Sequence, residues 1–169
     1  ISYDTAIKAT DKHEMIKAFK QHDVASPWFY AISQLDDITK FHNRITYPCI
    51  MKPTDNAGSR GVVLVNSYEE LINAYEYSHK QSRSGNVIIE EYLQGDEVSV
   101  EVMVVDGEVN ILAITDKLTT GAPHFVEMGH SQPSRHPLDV QTEIKTLATK
   151  AVKAVGIHTG PAHVEMMVT

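Results

Sequence analysis

The sequence lacks several features that mark particular classes of protein. It has one cysteine in 169 residues, so no disulfide framework can form within the chain. It has no apolar run close to the roughly 18 residues that a membrane-spanning helix needs. Basic residues are few, 15 Lys and Arg against 22 Asp and Glu, and the net charge of −7 argues against a nucleic-acid-binding face. We therefore expect a cytoplasmic protein that binds neither nucleic acid nor membrane.

The overall composition is that of a folded protein. Apolar residues make up 42% of the chain, and no low-complexity tract is present. The nine histidines raise the question of zinc, but none stands in an HExxH pattern, and no CxxC spacing exists, so we do not expect a zinc site. The chain begins at Ile1 rather than methionine, from which we expect it to be part of something longer.

Apolar spacing predicts alternating short helices and strands. Residues at three- and four-residue steps predict helices over 10–22, 35–45 and 144–155, and another that follows a Ser67–Glu70 capping box. Strands are predicted at 24–33, 47–52, 62–66, 86–92, 98–104, 109–115 and 161–168. Residues 116–137 are predicted to be mostly loop around a short strand at 125–128. The pattern predicts an α+β fold with mainly antiparallel sheets.

The most informative segment is MKPTDNAGSRGVVLV, at residues 51–65. It joins a lysine, a polar loop and a strand. Gly58 and Gly61 allow the backbone to turn and approach a ligand closely, and successive N–H groups of such a loop can bind an anion. Lys52 supplies a charge at the base and Arg60 a second one. The loop is not a Walker P-loop, since GxxxxGK[ST] is absent. Taken alone, it is equally well interpreted as a surface hairpin turn.

Four further blocks, taken with this loop, resemble the ATP-grasp superfamily. They are ATDK ending at Lys12, VIIEEYLQGDEVSVE at 87–101, ITDK at 114–117 and GPAHVEMMV at 160–168. Their order and spacing are similar to that family across nearly the whole chain. The blocks ITDK, FVEMGHSQPS and HVE resemble the carboxylate–amine ligases, which include L-amino-acid ligases and enzymes similar to carbamoyl-phosphate synthase and glycinamide-ribonucleotide synthetase. The resemblance implies an ATP-grasp fold, in which two α+β subdomains clamp ATP between antiparallel sheets.

The resemblance also implies roles for individual residues in binding ATP. Lysines that contact the phosphates are matched by Lys12 and Lys52. The loop that closes over the phosphates is matched by Gly58, Ser59, Arg60 and Gly61. The hinge that holds adenine is matched by Glu90, Glu91, Tyr92 and Leu93. The carboxylate that accepts the ribose hydroxyls is matched by Glu97.

Three further residues are implied at the reacting end of the site. Glu165 matches the first magnesium-binding carboxylate, with manganese as the alternative ion. Lys117 is a candidate contact to substrate or phosphate, and His130 a candidate neighbour of the acceptor substrate. Each has a plainer interpretation, since Lys12 and Glu97 could be solvated surface residues and His130 an exposed loop histidine. Cys49 is expected in the core.

The implied activity is ATP-dependent ligation of a small-molecule carboxylate to an amine or thiol through an acyl phosphate. A non-catalytic ATP-binding module, used as a sensor or scaffold, is the alternative, and a plain α+β interaction module is a third. The family completes its metal site with an ExNxR motif that does not occur before Thr169. We therefore expect the chain alone to bind nucleotide weakly and to turn over little, and its parent protein could be a homodimer.

The resemblance also divides the chain into three parts. They are an N-terminal helical and linker part at 1–46, a small lid subdomain with the glycine-rich loop at 47–92, and a larger subdomain at 93–169, truncated before the metal site is complete.

Overall fold

The computed structural model describes residues 1–169 and contains two four-stranded antiparallel sheets with five α-helices. The helices are α1 (Tyr3–Thr10), α2 (Lys12–Gln21), α3 (Leu35–Phe41), α4 (Leu71–Gln81) and α5 (Leu138–Val155). The strands are β1 (Phe29–Ile32), β2 (Cys49–Pro53), β3 (Val63–Val65), β4 (Val87–Glu91), β5 (Asp96–Val105), β6 (Glu108–Thr119), β7 (Glu127–Ser131) and β8 (Gly160–Val168). The predicted α+β class with antiparallel sheets is confirmed. No helix has both the length and the apolar composition that crossing a bilayer would require.

The first sheet has the strand order β1-β4-β2-β3 and is covered by α3 and α4. Its core joins Met51 and Ile89 of the sheet to Ile38 of α3 and Leu71 of α4. Each fully buried aliphatic side chain of this kind contributes about 1.5–3 kcal/mol to folding. This core therefore holds β2 and β4 side by side, which fixes the polar side chains at their ends.

The second sheet has the order β7-β6-β5-β8 and is covered by α5. The strict alternation in β5 buries Val98, Val100, Val102 and Val104 against α5, as the sequence predicts. A strand alternates its side chains between two faces, so Glu97 and Glu101 lie on the opposite face. That polar face carries most of the groups described below.

Helix α2 contacts both α5 and the segment that follows β2. Asp11 caps it as predicted, since its Oδ1 accepts hydrogen bonds from the backbone N–H groups of His13 at 2.9 Å and Glu14 at 3.1 Å. One side of the helix packs on α5, while the Lys12 N–H donates to the Thr54 carbonyl at 3.0 Å. The N-terminal part of the chain thus contacts both sheets, and the division at residues 46 and 92 stays a prediction.

Three local predictions are wrong. Helix α1 was not predicted, and it is held by a Ser2 cap and by the Thr5 hydroxyl, which donates to the Gly156 carbonyl at 3.1 Å. Residues 116–137, predicted to be mostly loop around a short strand at 125–128, contain more sheet than that, because β6 runs to Thr119 and the strand, β7, occupies Glu127–Ser131. Ser67 makes no capping bond, and the Glu70 carboxylate instead accepts the Asn66 N–H at 2.8 Å.

Candidate functional site

The glycine-containing loop connects β2 to β3 and turns through left-handed backbone conformations. Gly58 has φ 65°, Ser59 has φ 56° and Gly61 has φ 80°. A Cβ placed on Gly58 would meet no atom within 4 Å, whereas a Cβ on Gly61 would lie 2.7 Å from Pro53 Cγ. Gly61 is therefore needed for packing, while the backbone at Gly58 borders open space that a ligand can enter.

The base of the loop is anchored to the connection between α4 and β4. The Asp55 carboxylate accepts hydrogen bonds from the Ser82 hydroxyl at 3.0 Å and the Ser84 N–H at 2.8 Å. Arg83 donates to the Asp55 carbonyl at 2.8 Å. Burial alone would raise the pKa of Asp55, but the hydrogen bonds from Ser84 and Ser82 outweigh it and hold that pKa below its ordinary value.

Two lysines meet at the base of this loop. Lys12 donates from Nζ to the Asn56 carbonyl, and Lys52 on β2 forms an ion pair with Glu90 on β4. The pKa of Lys12 is lowered, first by burial and then by the positive charge of Lys52. A bound anion would relieve that repulsion, so this end of the first sheet is electrostatically suited to phosphate.

The predicted hinge residues connect the first sheet to the second. Glu90 is buried beside Lys52. The Glu91 N–H donates to the Trp28 carbonyl at 3.1 Å, which ties the end of β4 to the residue before β1. Leu93 is half-buried. The ring of Tyr92 lies edge-on to Phe125, with 6.4 Å between the ring centroids.

The loop also touches the second sheet directly. The Ser59 hydroxyl donates to the Phe125 carbonyl at 2.9 Å, and Phe125 lies in the β6–β7 connection. Arg60 is exposed and its Nε donates to the Ala57 carbonyl at 3.2 Å, so it stays within its own loop. The structure thus brings Ser59 to the second sheet and leaves Arg60 outside the contact.

Lys117 is the centre of a charged cluster on the polar face of the second sheet. Its Nζ lies 2.6 Å from Glu165 Oε1, 2.7 Å from Glu97 Oε1 and 3.2 Å from Glu127 Oε2. Burial alone would lower the pKa of Lys117, but its hydrogen bonds to Glu165 and Glu97 raise it. Burial alone would raise the pKa of Glu165, and Lys117 lowers it. Lys117 and Glu165 are therefore both charged at neutral pH.

Two histidines extend this cluster on either side. His130 lies opposite Lys117 in the β6–β7 register, and its Nε2 is 3.0 Å from Glu127 Oε1. His163 shares the face of Glu165, with Nδ1 2.7 Å from Glu101 Oε1 and Nε2 3.6 Å from Glu165 Oε1. The structure therefore brings together Glu97, Lys117, His130 and Glu165, which the sequence singled out separately.

Glu127 is a member of the cluster that sequence reasoning missed. It lies in the FVEMGHSQPS block, three residues before His130, and that block was the signal that could have identified it. The residues following Thr115 were predicted to be mostly loop, so nothing indicated that Glu127 would come to lie beside Lys117.

A cleft of about 570 Å³ borders this cluster, which is within the range of small-molecule sites. Its wall includes Glu97, Lys117 and His130, together with Asp116, Arg135 and His136. Charged and polar groups dominate this wall, so the cleft suits a polar ligand.

The side chains of this site can be compared with the ligands that magnesium usually takes. No group of three or more His, Cys, Asp or Glu side chains is arranged to hold a metal ion. Magnesium, however, usually takes only one or two protein carboxylates and completes its shell with phosphate and water oxygens. Glu165 has a 57% exposed side chain, and the oxygens around Lys117 already hold one cation. The residues present therefore fit a magnesium ion shared with a phosphate.

Cys49 lies outside this chemistry. It is fully buried in the core of the first sheet, as predicted, and burial raises the pKa of its thiol to about 12. A thiol in that state is not a nucleophile.

Comparison with known proteins identifies the family. The ATP-grasp domain family matches residues 45–169. The alanine–anticapsin ligase of Bacillus subtilis is 31% identical over 183 residues, which cover 95% of this chain and 38% of that protein. The L-amino acid ligase structure from Bacillus licheniformis matches with a TM-score of 0.85 and 27% identity, over 99% of this chain and 39% of that one.

A second similar structure contains ATP. It is the D-alanine–D-alanine ligase of Bacillus anthracis in complex with ATP, with a TM-score of 0.78 and 21% identity over 98% of this chain and 52% of that one. This likeness shows the fold. The chain spans about two fifths of the length of the alanine–anticapsin ligase. With most of its residues matched by one domain family, the chain belongs to the ATP-grasp family.

Proposed function

We propose that this chain is the nucleotide-binding part of an ATP- and magnesium-dependent ligase that joins a carboxylate to an amine or thiol. The observation that carries the proposal is the contact of the Ser59 hydroxyl with the Phe125 carbonyl at 2.9 Å. It joins the loop at Lys12 and Lys52 to the sheet that carries Lys117. Positive groups on both sheets can therefore face one bound triphosphate.

Different residues would bind the different parts of the nucleotide. Lys12, Lys52 and the N–H groups near Gly58 would hold the phosphates. The hinge from Glu90 to Leu93 would hold the adenine, and Glu97 would accept the ribose hydroxyls. Glu165 would hold a magnesium ion, which when bound supplies charge neutralisation at the phosphates. These assignments use side chains of both sheets, which suits a ligand clamped between them.

The proposed chemistry needs no covalent nucleophile from the protein. A carboxylate oxygen of the substrate attacks the γ-phosphorus, the bond to the ADP oxygen breaks, and an acyl phosphate forms. An amine nitrogen then attacks the acyl carbon, phosphate leaves, and the amine loses a proton. The residues of the chain contribute by positioning the reactants and by neutralising the charge of the phosphates. Lys117 would hold the transferred phosphoryl group, and His130 would lie near the second substrate.

The relatives support amino acids as the substrates. One is a ligase named for alanine and another for L-amino acids. An amino acid carries both groups that the reaction joins. The side chains of Glu127 and His130, 3.0 Å apart, offer carboxylate oxygens and ring nitrogens to such a zwitterion.

The full-length natural polypeptide tests this proposal. With ATP, magnesium and pairs of amino acids, ADP release should require a carboxylate substrate. Hydroxylamine added in place of the amine should trap the acyl phosphate as a hydroxamate. Glu165→Gln should lower the rate of ADP release by at least about a hundredfold, and Glu143→Gln, at an exposed position on α5, should not change it. Nucleotide binding without any ADP release would favour the sensor or scaffold instead.

A further inference from the structure

The side chain of Lys117 is already fixed by ion pairs within the chain, unlike a binding residue that has no partner before its ligand arrives. Its side chain is 6% exposed, and its ammonium contacts carboxylates from three other strands, β5, β7 and β8. Glu165 on β8 and Glu97 on β5 are both within 2.7 Å of it. The ammonium therefore occupies the position in this cluster that a bound cation would take.

A second cation cannot share this position at low cost. Two positive charges a few ångströms apart repel strongly in a partly buried site, where the effective dielectric is far below that of water. The Glu165 oxygen nearest to Lys117 is also already engaged by a short hydrogen bond of 2.6 Å. A divalent ion approaching Glu165 thus meets a carboxylate that is neutralised and an ammonium that repels it.

Lys117 has the means to leave this position. A lysine side chain is a flexible stem with three donors on its ammonium, and Lys117 lines the cleft of about 570 Å³. The carboxylates of Glu127 and Glu165 are 46% and 57% exposed, so water can solvate them once the ammonium moves. A phosphate group in the cleft would offer Lys117 several oxygens in exchange for the carboxylates.

We propose that Lys117 is an exchangeable counter-ion that keeps divalent cations off Glu165 until a phosphate group in the cleft withdraws its ammonium. Metal and nucleotide then bind in a coupled manner, and free metal does not load the empty site. This inference rests on the proposed function, because it assigns Glu165 to the metal and the cleft to a phosphate.

Manganese binding to the 169-residue chain tests the inference without any catalytic assay. Electron paramagnetic resonance of free Mn²⁺ gives the dissociation constant in the absence of nucleotide. Lys117→Gln removes the charge but keeps hydrogen-bond donors for the carboxylates, so it should bind Mn²⁺ at least about tenfold more tightly than wild type. Lys117→Arg keeps the charge and should bind as weakly as wild type. Adding Glu165→Gln to Lys117→Gln should abolish the gain.

Equal Mn²⁺ affinity of wild type and Lys117→Gln would overturn the inference, and so would a gain that survives Glu165→Gln. Circular dichroism melting establishes that each variant is folded, and Lys117→Met is the substitute should the Gln variant fail to fold. The same samples are titrated with a non-hydrolysable ATP analogue. Binding of the analogue without the gain in Mn²⁺ affinity would leave the proposed function standing and refute the counter-ion. The gain in Mn²⁺ affinity without analogue binding would contradict the proposed function, and with it the step of the inference in which a phosphate withdraws Lys117.

Discussion

At the scale of single residues, the two glycines of the loop differ in what surrounds them. Both have a left-handed backbone, which costs any residue with a Cβ roughly 1–2 kcal/mol. Only Gly61 is also enclosed. A Cβ placed on Gly61 would lie 2.7 Å from Pro53 Cγ and 2.9 Å from Gln81 Cβ. Gly58 has free space around it, so its lack of a side chain matters for a ligand more than for folding.

This difference predicts two separable effects of an alanine substitution. Gly61→Ala should lower the free energy of unfolding by about 3 kcal/mol or more, because it adds a steric clash to the backbone strain. Gly58→Ala should lower it by about 1 kcal/mol, through strain alone. Urea denaturation of both variants and wild type measures the two values. Equal losses would contradict the packing role of Gly61.

Individual residues also show how far the sequence could predict the site. Lys52 was identified from its place before a glycine-containing loop. Its pairing with Glu90 depends on the β2–β4 register, which local sequence does not reveal. Likewise, the sequence marked Lys117 and Glu165 separately, and only the strand order β6-β5-β8 brings them to 2.6 Å. The types of residue were predictable, whereas their partners depend on tertiary contacts.

At the scale of elements, the loop between β2 and β3 is anchored by the α4–β4 connection through Asp55. An ionised carboxylate accepts the Ser82 hydroxyl and the Ser84 N–H. Such hydrogen bonds to a charged group are worth more than neutral ones. The anchor fixes the start of the loop, while its tip at Gly58 remains open to a ligand.

Asp55→Asn should therefore destabilise the chain by about 1–2 kcal/mol at pH 7, because an amide cannot accept both bonds. The folded pKa of Asp55 is below its unfolded value. Its contribution is therefore complete above the ordinary aspartate pKa of about 4 and is lost as the pH falls through the folded value. Unfolding by urea at a series of pH values should show the difference from wild type shrinking below about pH 4. Glu143→Gln, at an exposed position, is the control. A difference that is constant with pH would contradict the anchor.

Element prediction succeeded where one face is buried and failed where it is not. The valines of β5 alternate strictly because α5 covers one face, and that strand was predicted. Strand β7 has no buried residue, and the sequence predicted only a short strand at 125–128 where β7 occupies Glu127–Ser131. Helix α1 buries only Thr5, a polar residue whose hydroxyl bonds to Gly156, and therefore escaped prediction for the same reason.

At the scale of the whole molecule, the two sheets are connected by the hinge after β4 and by the contact between Ser59 and Phe125. The resemblance of the sequence blocks to the ATP-grasp superfamily implied this architecture. What the blocks could not predict is the charge balance of the site. Glu90 pairs with Lys52, and Lys117 pairs with Glu165, so these charges are already neutralised by groups of the chain itself.

The central claim is that Lys52 and the neighbouring loop bind the phosphates of ATP. The most direct test is titration of the 169-residue chain with a fluorescent ATP analogue and magnesium. Lys52→Ala should weaken binding at least about tenfold, and Lys52→Gln, which keeps a donor for Glu90, should do the same. Lys150→Ala, at an exposed position on α5, should bind like wild type. Equal affinity of wild type and both Lys52 variants, or binding by none of them, would contradict the account.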